Sequence, residues 1–423
     1  MSIVQTYGNI IKKNCDSNPT TSRNLINLGL HLERLKVAHL SHSKNLPSFT
    51  YLNAMALGMV EKGMKNPQMT CWNNLFAPVE IMESFGINCL SMEVLSSFFS
   101  GFTIEDLLID ASDDEGLATT LCSFHRTFIG ANNLNILIPP RASVTTSNVC
   151  DGNINTFRYV SKKKDMPLFL VDVPHRYSEE SVKYVEDQLQ ELIVFLEDTY
   201  KIRYNEEKLQ QILQRENESH QLYEKYLHLV GTKSMPSTLT LQMFTLFASH
   251  LSIGSEESLQ FYRLLLSDVE KAPLYTGKKI LWVHVLPFYD ESLKKIFNHS
   301  SDFQIQAIEM NSDSNAPLDV SHPLNSVARK LVANVYNKGY EEKAALCARL
   351  AQQTKADGVI HFAHWGCKQT SGGVQILKKR LQEDNLPVLL LDGDAVDRRN
   401  EGKGQMKTRV EAFCELLAEG DRR

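Results

Sequence analysis

Three cysteines stand where a chain can offer a thiol to chemistry. Cys122 lies in Thr119-Thr120-Leu121-Cys122-Ser123-Phe124-His125-Arg126, the start of a helix that runs to Gly130. Cys150 lies in the polar loop Asn148-Val149-Cys150-Asp151-Gly152, after the β-rich run Ala142 to Ser147. Cys367 lies in His364-Trp365-Gly366-Cys367-Lys368-Gln369, after the apolar run Gly358-Val359-Ile360-His361-Phe362. Backbone N–H groups and the helix dipole favour a thiolate at a helix start. Open α/β sheets bind ligands at the carboxyl ends of their strands, where these loops are expected. Three thiolates can hold three irons of a 4Fe–4S cube and leave the fourth open to water or substrate. An open iron can act as a Lewis acid and electron donor. Spacing alone supports this weakly, because three distant cysteines are common and a packed thiol is the plainer use of each.

The chain has eight cysteines, at 15, 71, 89, 122, 150, 347, 367 and 414, and no CxxC pair. A zinc ribbon or ferredoxin-type site is therefore unsupported, and a reducing compartment makes a disulfide framework improbable. Any metal site must gather ligands distant in sequence. Cys71, just before a helix that opens at Pro78, is an extra candidate ligand; Cys15, Cys89, Cys347 and Cys414 fall in or beside regular patterns and read as core. Glu80 sits near the start of the Pro78 helix, which Gly86 stops, and the dipole favours its carboxylate.

The elements that must position these groups follow from pattern. Residues 1–66 read as a helical N-terminal extension, packed on the body or a partner, or else a solvated cap. Residues 67–176 read as a first α/β domain, with strands at Asn88–Met92, Ala142–Ser147 and Met166–Pro174. Residues 177–272 are helical in pattern and join it to a second α/β domain, 273–423. That domain opens on Lys278–Val285 and continues through Phe303–Ile308. Its segment Asp357 to Arg399 reads as strand, loop, helix, strand, one βαβ unit of a parallel sheet.

Composition narrows the function. At 423 residues, with 43% hydrophobic and 22% charged residues, the chain reads as a soluble globular protein of two or three domains. A net charge of −5 with no Lys/Arg cluster argues against a nucleic-acid partner. The N-terminus has no long apolar region and no window approaches a membrane span, so a cytoplasmic location is expected.

At these same residues the sequence resembles the 2-hydroxyacyl-CoA dehydratase and benzoyl-CoA reductase family. The matching stretches include Ala77-Pro78-Val79-Glu80-Ile81 with Gly86, Leu121-Cys122-Ser123-Phe124 with Gly130, Asn148-Val149-Cys150-Asp151-Gly152 and Leu170-Val171-Asp172-Val173-Pro174. Ser321-His322-Pro323-Leu324, Asp357-Gly358-Val359-Ile360, His364-Trp365-Gly366-Cys367-Lys368, Leu391-Asp392-Gly393-Asp394 and Gly404 to Phe413 complete the set. Their order and spacing, over roughly residues 70 to 418, carry the resemblance. Many catalytic subunits have Arg-Ser-Cys-Lys where this chain has Trp365-Gly366-Cys367-Lys368.

The resemblance implies two flavodoxin-like domains with a 4Fe–4S cluster in the cleft, held by Cys122, Cys150 and Cys367. It implies dehydration of an (R)-2-hydroxyacyl-CoA to an enoyl-CoA through a ketyl radical, after one-electron activation by a separate ATP-dependent iron–sulfur activator. A paralogous subunit or a second copy would be the partner. Glu80 is then the candidate for moving the substrate's proton or hydroxyl. His364 and Trp365 could line the cluster pocket or simply pack on each other in the loop, and Lys368 and Arg126 could meet the CoA phosphates, with surface pairing the plainer use of both. A reductase, aryl-CoA or double-cubane, is the alternative, and Cys71 would fit a double-cubane cluster. A non-catalytic electron relay is the third reading.

Overall fold

The structure is a computed structural model that describes residues 3–39, 44–314, 316–400 and 404–419. Residues 1–2 and 40–43 of the expected N-terminal segment, and 420–423 of the last, lie outside the described residues.

Two four-stranded sheets, all parallel, carry the fold. The first contains β1 (Thr70–Asn73), β2 (Asn88–Ser91), β3 (Ala142–Thr146) and β4 (Leu168–Val171), in the order β2-β1-β3-β4. The second contains β5 (Lys278–Val283), β6 (Phe303–Ile308), β7 (Gly358–His364) and β8 (Val388–Gly393), in the order β6-β5-β7-β8. The two orders are equivalent. In each sheet the order reverses beside the central strands β1/β3 and β5/β7, which puts the crevice of an open α/β sheet at their carboxyl ends. The flavodoxin-type order has a fifth strand; neither sheet has one among the described residues.

The central strands β5 and β7 are buried along most of their length, as strands of a parallel sheet covered by helices are. Trp72 in β1 and Trp282 in β5 are both almost wholly buried. Trp72 meets Phe128 edge-on, with ring centroids 5.2 Å apart. β1 was not expected. Thr-Cys-Trp-Asn is too short and too mixed to show as a strand, and only pairing on both sides makes it one.

The helical region between the sheets begins each helix with a side-chain cap. Ser178, Asn205, Thr238 and Ser255 each accept a hydrogen bond from the backbone N–H three residues on, opening the helices Glu179–Tyr200, Glu206–Val230, Leu239–Leu246 and Glu256–Lys271. Glutamate pairs occupy the first turn of three of them, where the dipole favours them.

The first sixty residues include the helices Ile3–Cys15, Pro19–His39 and Pro47–Lys65. The third packs against the helix Glu256–Lys271 and strand β2, and buries Phe49, Leu52 and Val60. It is part of the core, not a solvated cap.

Candidate functional site

All three chemically placed cysteines are helix N-caps. Cys122 caps Ser123–Asn133, Cys150 caps Asp151–Lys164 and Cys367 caps the short turn Lys368–Ser371. The helix expected from Thr119 thus starts at Ser123, and its entry residue is the cysteine itself. Two of the loops share a device: the residue before each cysteine is left-handed, Val149 at φ 70° and Gly366 at φ 81°. A β-branched residue in that region is strained, by about 1–3 kcal/mol.

Gly366 also brings the two halves together. A Cβ there would stand 2.7 Å from both N and Cα of Cys122, so only glycine lets the Cys367 loop lie against the Cys122 loop. Ser123 Oγ donates to Asp394 Oδ1, just past β8, at 2.6 Å, and reinforces the contact.

The three cysteines line one cavity of about 210 Å³. Each has a histidine beside its sulfur. His364 Nε2 is 3.2 Å from Cys122, His125 Nε2 is 3.5 Å from Cys150 and His284 Nε2 is 3.9 Å from Cys367. The Ala395 N–H donates to His364 Nδ1 at 3.1 Å, so in the neutral ring the proton is on Nε2 and points to Cys122. Burial lowers His125 to about 4 and His284 well below its usual value, which keeps these rings neutral.

Cys122 and Cys150 do not carry the depressed pKa that helix starts alone would favour. Burial pushes Cys122 far up, and repulsion from Cys367 and Cys150 adds to it. Burial and Cys367 likewise push Cys150 up to about 12. Desolvation and mutual repulsion outweigh the dipole, so thiolates here require a compensating cation. Iron would supply such a charge. Among the described residues no three His, Cys, Asp or Glu side chains close to the spacing of one ion's ligands. Thiols spaced around a cavity suit a cluster, whose irons are separate corners, and the donor set fits a 4Fe–4S group with one iron left without a cysteine.

The remaining expected residues fall elsewhere. Cys71 lies inside β1, fully buried, paired in register with Cys89, and is not on the cavity; burial pushes it up to about 12. Glu80 is also outside the cavity. It occupies a small polar chamber that shares only Leu75 and Phe76 with the cysteine cavity. There Lys330 Nζ bridges Glu80 and Glu216, at 2.5 and 2.6 Å. Burial alone would lower Lys330, but Glu216 and Glu80 outweigh it and hold the ammonium charged. This one lysine ties the first sheet's half, the helical region and the second sheet's half together. Arg126 is committed to Asp113, and Lys368 is exposed and paired with Asp151 at 2.7 Å. Trp365 is 46% exposed and does not line the cavity.

One functional candidate was missed by the sequence reading. Glu93, on the helix Met92–Gly101, lines the cysteine cavity, and its Oε2 has no hydrogen-bond partner. Burial raises its carboxyl to about 7, against the lowering effect of the Glu93 and Leu75 backbone groups. A carboxyl poised near neutrality in an apolar cleft is the usual mark of an acid–base group. The available signal was Ser91-Met92-Glu93, a serine N-cap followed by an acidic first turn, which the reading of 88–92 as strand concealed.

Fold and site together define an α/β protein of two parallel sheets that gathers three thiols from both halves onto one apolar cavity. The chain belongs to the family described as 2-hydroxyglutaryl-CoA dehydratase, D-component, which it matches over residues 74–417. It is similar to the (R)-phenyllactyl-CoA dehydratase alpha subunit of Clostridium sporogenes, with 21% identity over 371 residues, 80% of this chain and 87% of that protein. It is similar to the (R)-2-hydroxyisocaproyl-CoA dehydratase alpha subunit of Clostridioides difficile, with 21% identity over 382 residues, 82% of this chain and 90% of that protein. With subunit alpha of (R)-2-hydroxyglutaryl-CoA dehydratase from Acidaminococcus fermentans it shares 23% identity over 291 residues, 65% of this chain and 60% of that protein. No helix among the described residues is long and apolar enough to cross a membrane.

Proposed function

We propose that this chain is the iron–sulfur subunit of a 2-hydroxyacyl-CoA dehydratase. The observation that carries the reading is the convergence of Cys122, Cys150 and Cys367 on one apolar cavity, each from a helix N-cap and each beside a histidine. The relatives are named as dehydratase subunits, which supports the reaction class, and as alpha subunits, which supports a partner chain.

The net reaction breaks the Cα–OH bond and a Cβ–H bond of an (R)-2-hydroxyacyl-CoA and gives an enoyl-CoA and water. It is redox-neutral overall: one electron enters at low potential from an ATP-dependent activator, the substrate passes through a ketyl radical, and the electron is returned. A cluster held by the three thiolates would supply electron transfer and a Lewis-acidic iron. The chain's own residues do the rest. Apolar walls exclude water from the reacting carbons. Glu93, near neutrality, can hold the proton for the departing hydroxyl or take one from Cβ. Glu80, bridged to Lys330 outside the cavity, acts in our reading by positioning the three parts of the fold.

A double-cubane reductase would draw on an extra cysteine, and Cys71 is away from the cavity. Nothing in the geometry favours that reading over the first. The test is anaerobic purification with iron analysis. About four irons per chain are expected, and loss of iron in Cys122→Ser, Cys150→Ser and Cys367→Ser variants. Iron-free protein, or variants that keep the full complement, would overturn the assignment. Formation of enoyl-CoA from a 2-hydroxyacyl-CoA with partner, activator and ATP then separates a dehydratase from an electron relay.

A further inference from the structure

The cavity says more about the acyl group than membership of the family does. Away from the cysteines its wall is aromatic and thioether: Phe98, Phe244 and Phe247 with Met243 and Phe288. Phe98 and Phe244 stack at 5.7 Å between centroids, and Phe247 meets both edge-on. An apolar cavity of about 150 Å³ admits a benzene ring; this one is about 210 Å³, shared between the acyl group and whatever the cysteines hold.

Its charge pattern is equally selective. Among the described residues, no lysine or arginine lines it. The neighbouring cations are committed elsewhere: Lys330 to Glu80 and Glu216, Lys343 to Glu309 at 3.3 Å, Arg126 to Asp113, and the exposed Lys368 to Asp151 at 2.7 Å. The three histidines each turn a nitrogen to a thiol. The one ionisable group besides these histidines and cysteines on the wall is Glu93, a carboxyl. A second carboxylate on the acyl chain would find an acid already present and no cation among the described residues of the wall; the buried Asn153 amide, which has no partner, offers it a neutral N–H donor, too little to offset the burial of a full charge. An aromatic or branched aliphatic chain meets rings and thioethers over most of the wall, which also carries Ser97 and Thr240.

Resting on the function proposed above, we infer that the site takes 2-hydroxyacyl-CoA thioesters with an apolar side chain, aromatic or branched, and rejects those with a second carboxylate. The relatives with printed names span both kinds, so the family alone does not decide between them.

The experiment is competitive displacement on the anaerobically purified, iron-loaded protein with its partner subunit, using (R)-phenyllactyl-CoA, (R)-2-hydroxyisocaproyl-CoA and (R)-2-hydroxyglutaryl-CoA. Binding of the first two at least about 100-fold tighter than the third is expected, a discrimination within reach of unpaired buried polar groups. A 2-hydroxyglutaryl ester that binds within about tenfold of the others overturns the inference and leaves the dehydratase reading standing. Failure of all three esters to bind overturns that reading, and the inference with it. A Met243→Lys variant that retains iron adds a cation to the half-buried wall and should shift the ratio at least about tenfold toward the glutaryl ester. An unchanged ratio would count against the charge argument.

Discussion

His364 Nε2 lies 3.2 Å from Cys122 Sγ, though 242 residues separate the two. The histidine ends β7 of the second sheet, and the cysteine caps a helix of the first half. Its other nitrogen accepts the Ala395 N–H, so the ring is held from one side and presents its proton to the sulfur on the other. Partners of this kind orient a metal ligand and tune its basicity.

Replacing His364 by alanine strands both the Ala395 N–H and the Cys122 sulfur. We expect iron to be lost about 10–100-fold more readily under chelator challenge. Iron content followed against chelator concentration, wild type beside variant, measures it. Equal retention would show that the histidine only fills space.

Glu93→Gln should act on both stability and turnover. The folded carboxyl, raised by burial to about 7 from 4.5, binds a proton that the unfolded chain has released. Wild-type stability therefore falls as pH rises from about 4.5 through 7, whereas glutamine removes this slope. Melting temperatures between pH 5 and 8 test the sign. A loss of turnover of about 10²–10⁴-fold with iron retained is expected if Glu93 moves the proton.

Gly366→Ala sets a methyl against the Cys122 backbone in a left-handed conformation. A cost of about 1–3 kcal/mol from the backbone conformation is expected, and more from the clash. Denaturant unfolding measures it, and near-neutral stability would mean that the two loops can part without penalty.

Lys330→Met leaves Glu80 and Glu216 buried without their cation. A loss of about 3–5 kcal/mol is expected, and Glu80→Gln in the same background should restore part of it. A Glu80→Gln single variant that abolished turnover with stability and iron unchanged would return Glu80 to the chemistry.

Gly101 is exposed at the cavity edge, and a Cβ there would meet nothing within 4 Å. Gly101→Leu should leave stability within about 0.5 kcal/mol while weakening the bulkier thioesters more than lactoyl-CoA. Competition binding reads the difference, and uniform weakening would place this edge away from the acyl chain.

Much of the frame was legible in the chain. The strands β5, β6, β7 and β8, the helix Tyr340–Gln353 and the helical run between the sheets announce themselves by pattern and caps. β1 and the helix Met92–Gly101 do not. The first is four residues stabilised only by its neighbours, and the second follows β2 without a break, so that its first turn reads as the end of the strand. Glu93 and Phe98 were lost to view with that helix.

That Cys122, Cys150 and Cys367 stand at helix entries is legible locally, because capping and strand ends are matters of a few residues. What those thiols meet is set by segments brought together in the fold. The glycine approach of 366 to 122, the histidine beside each sulfur and the removal of Glu80 to a lysine bridge all join segments far apart in the chain. So does the balance that raises the pKa of Cys122 and Cys150: the dipole that favours a thiolate is local, but the burial and repulsion that overcome it belong to the assembled cavity.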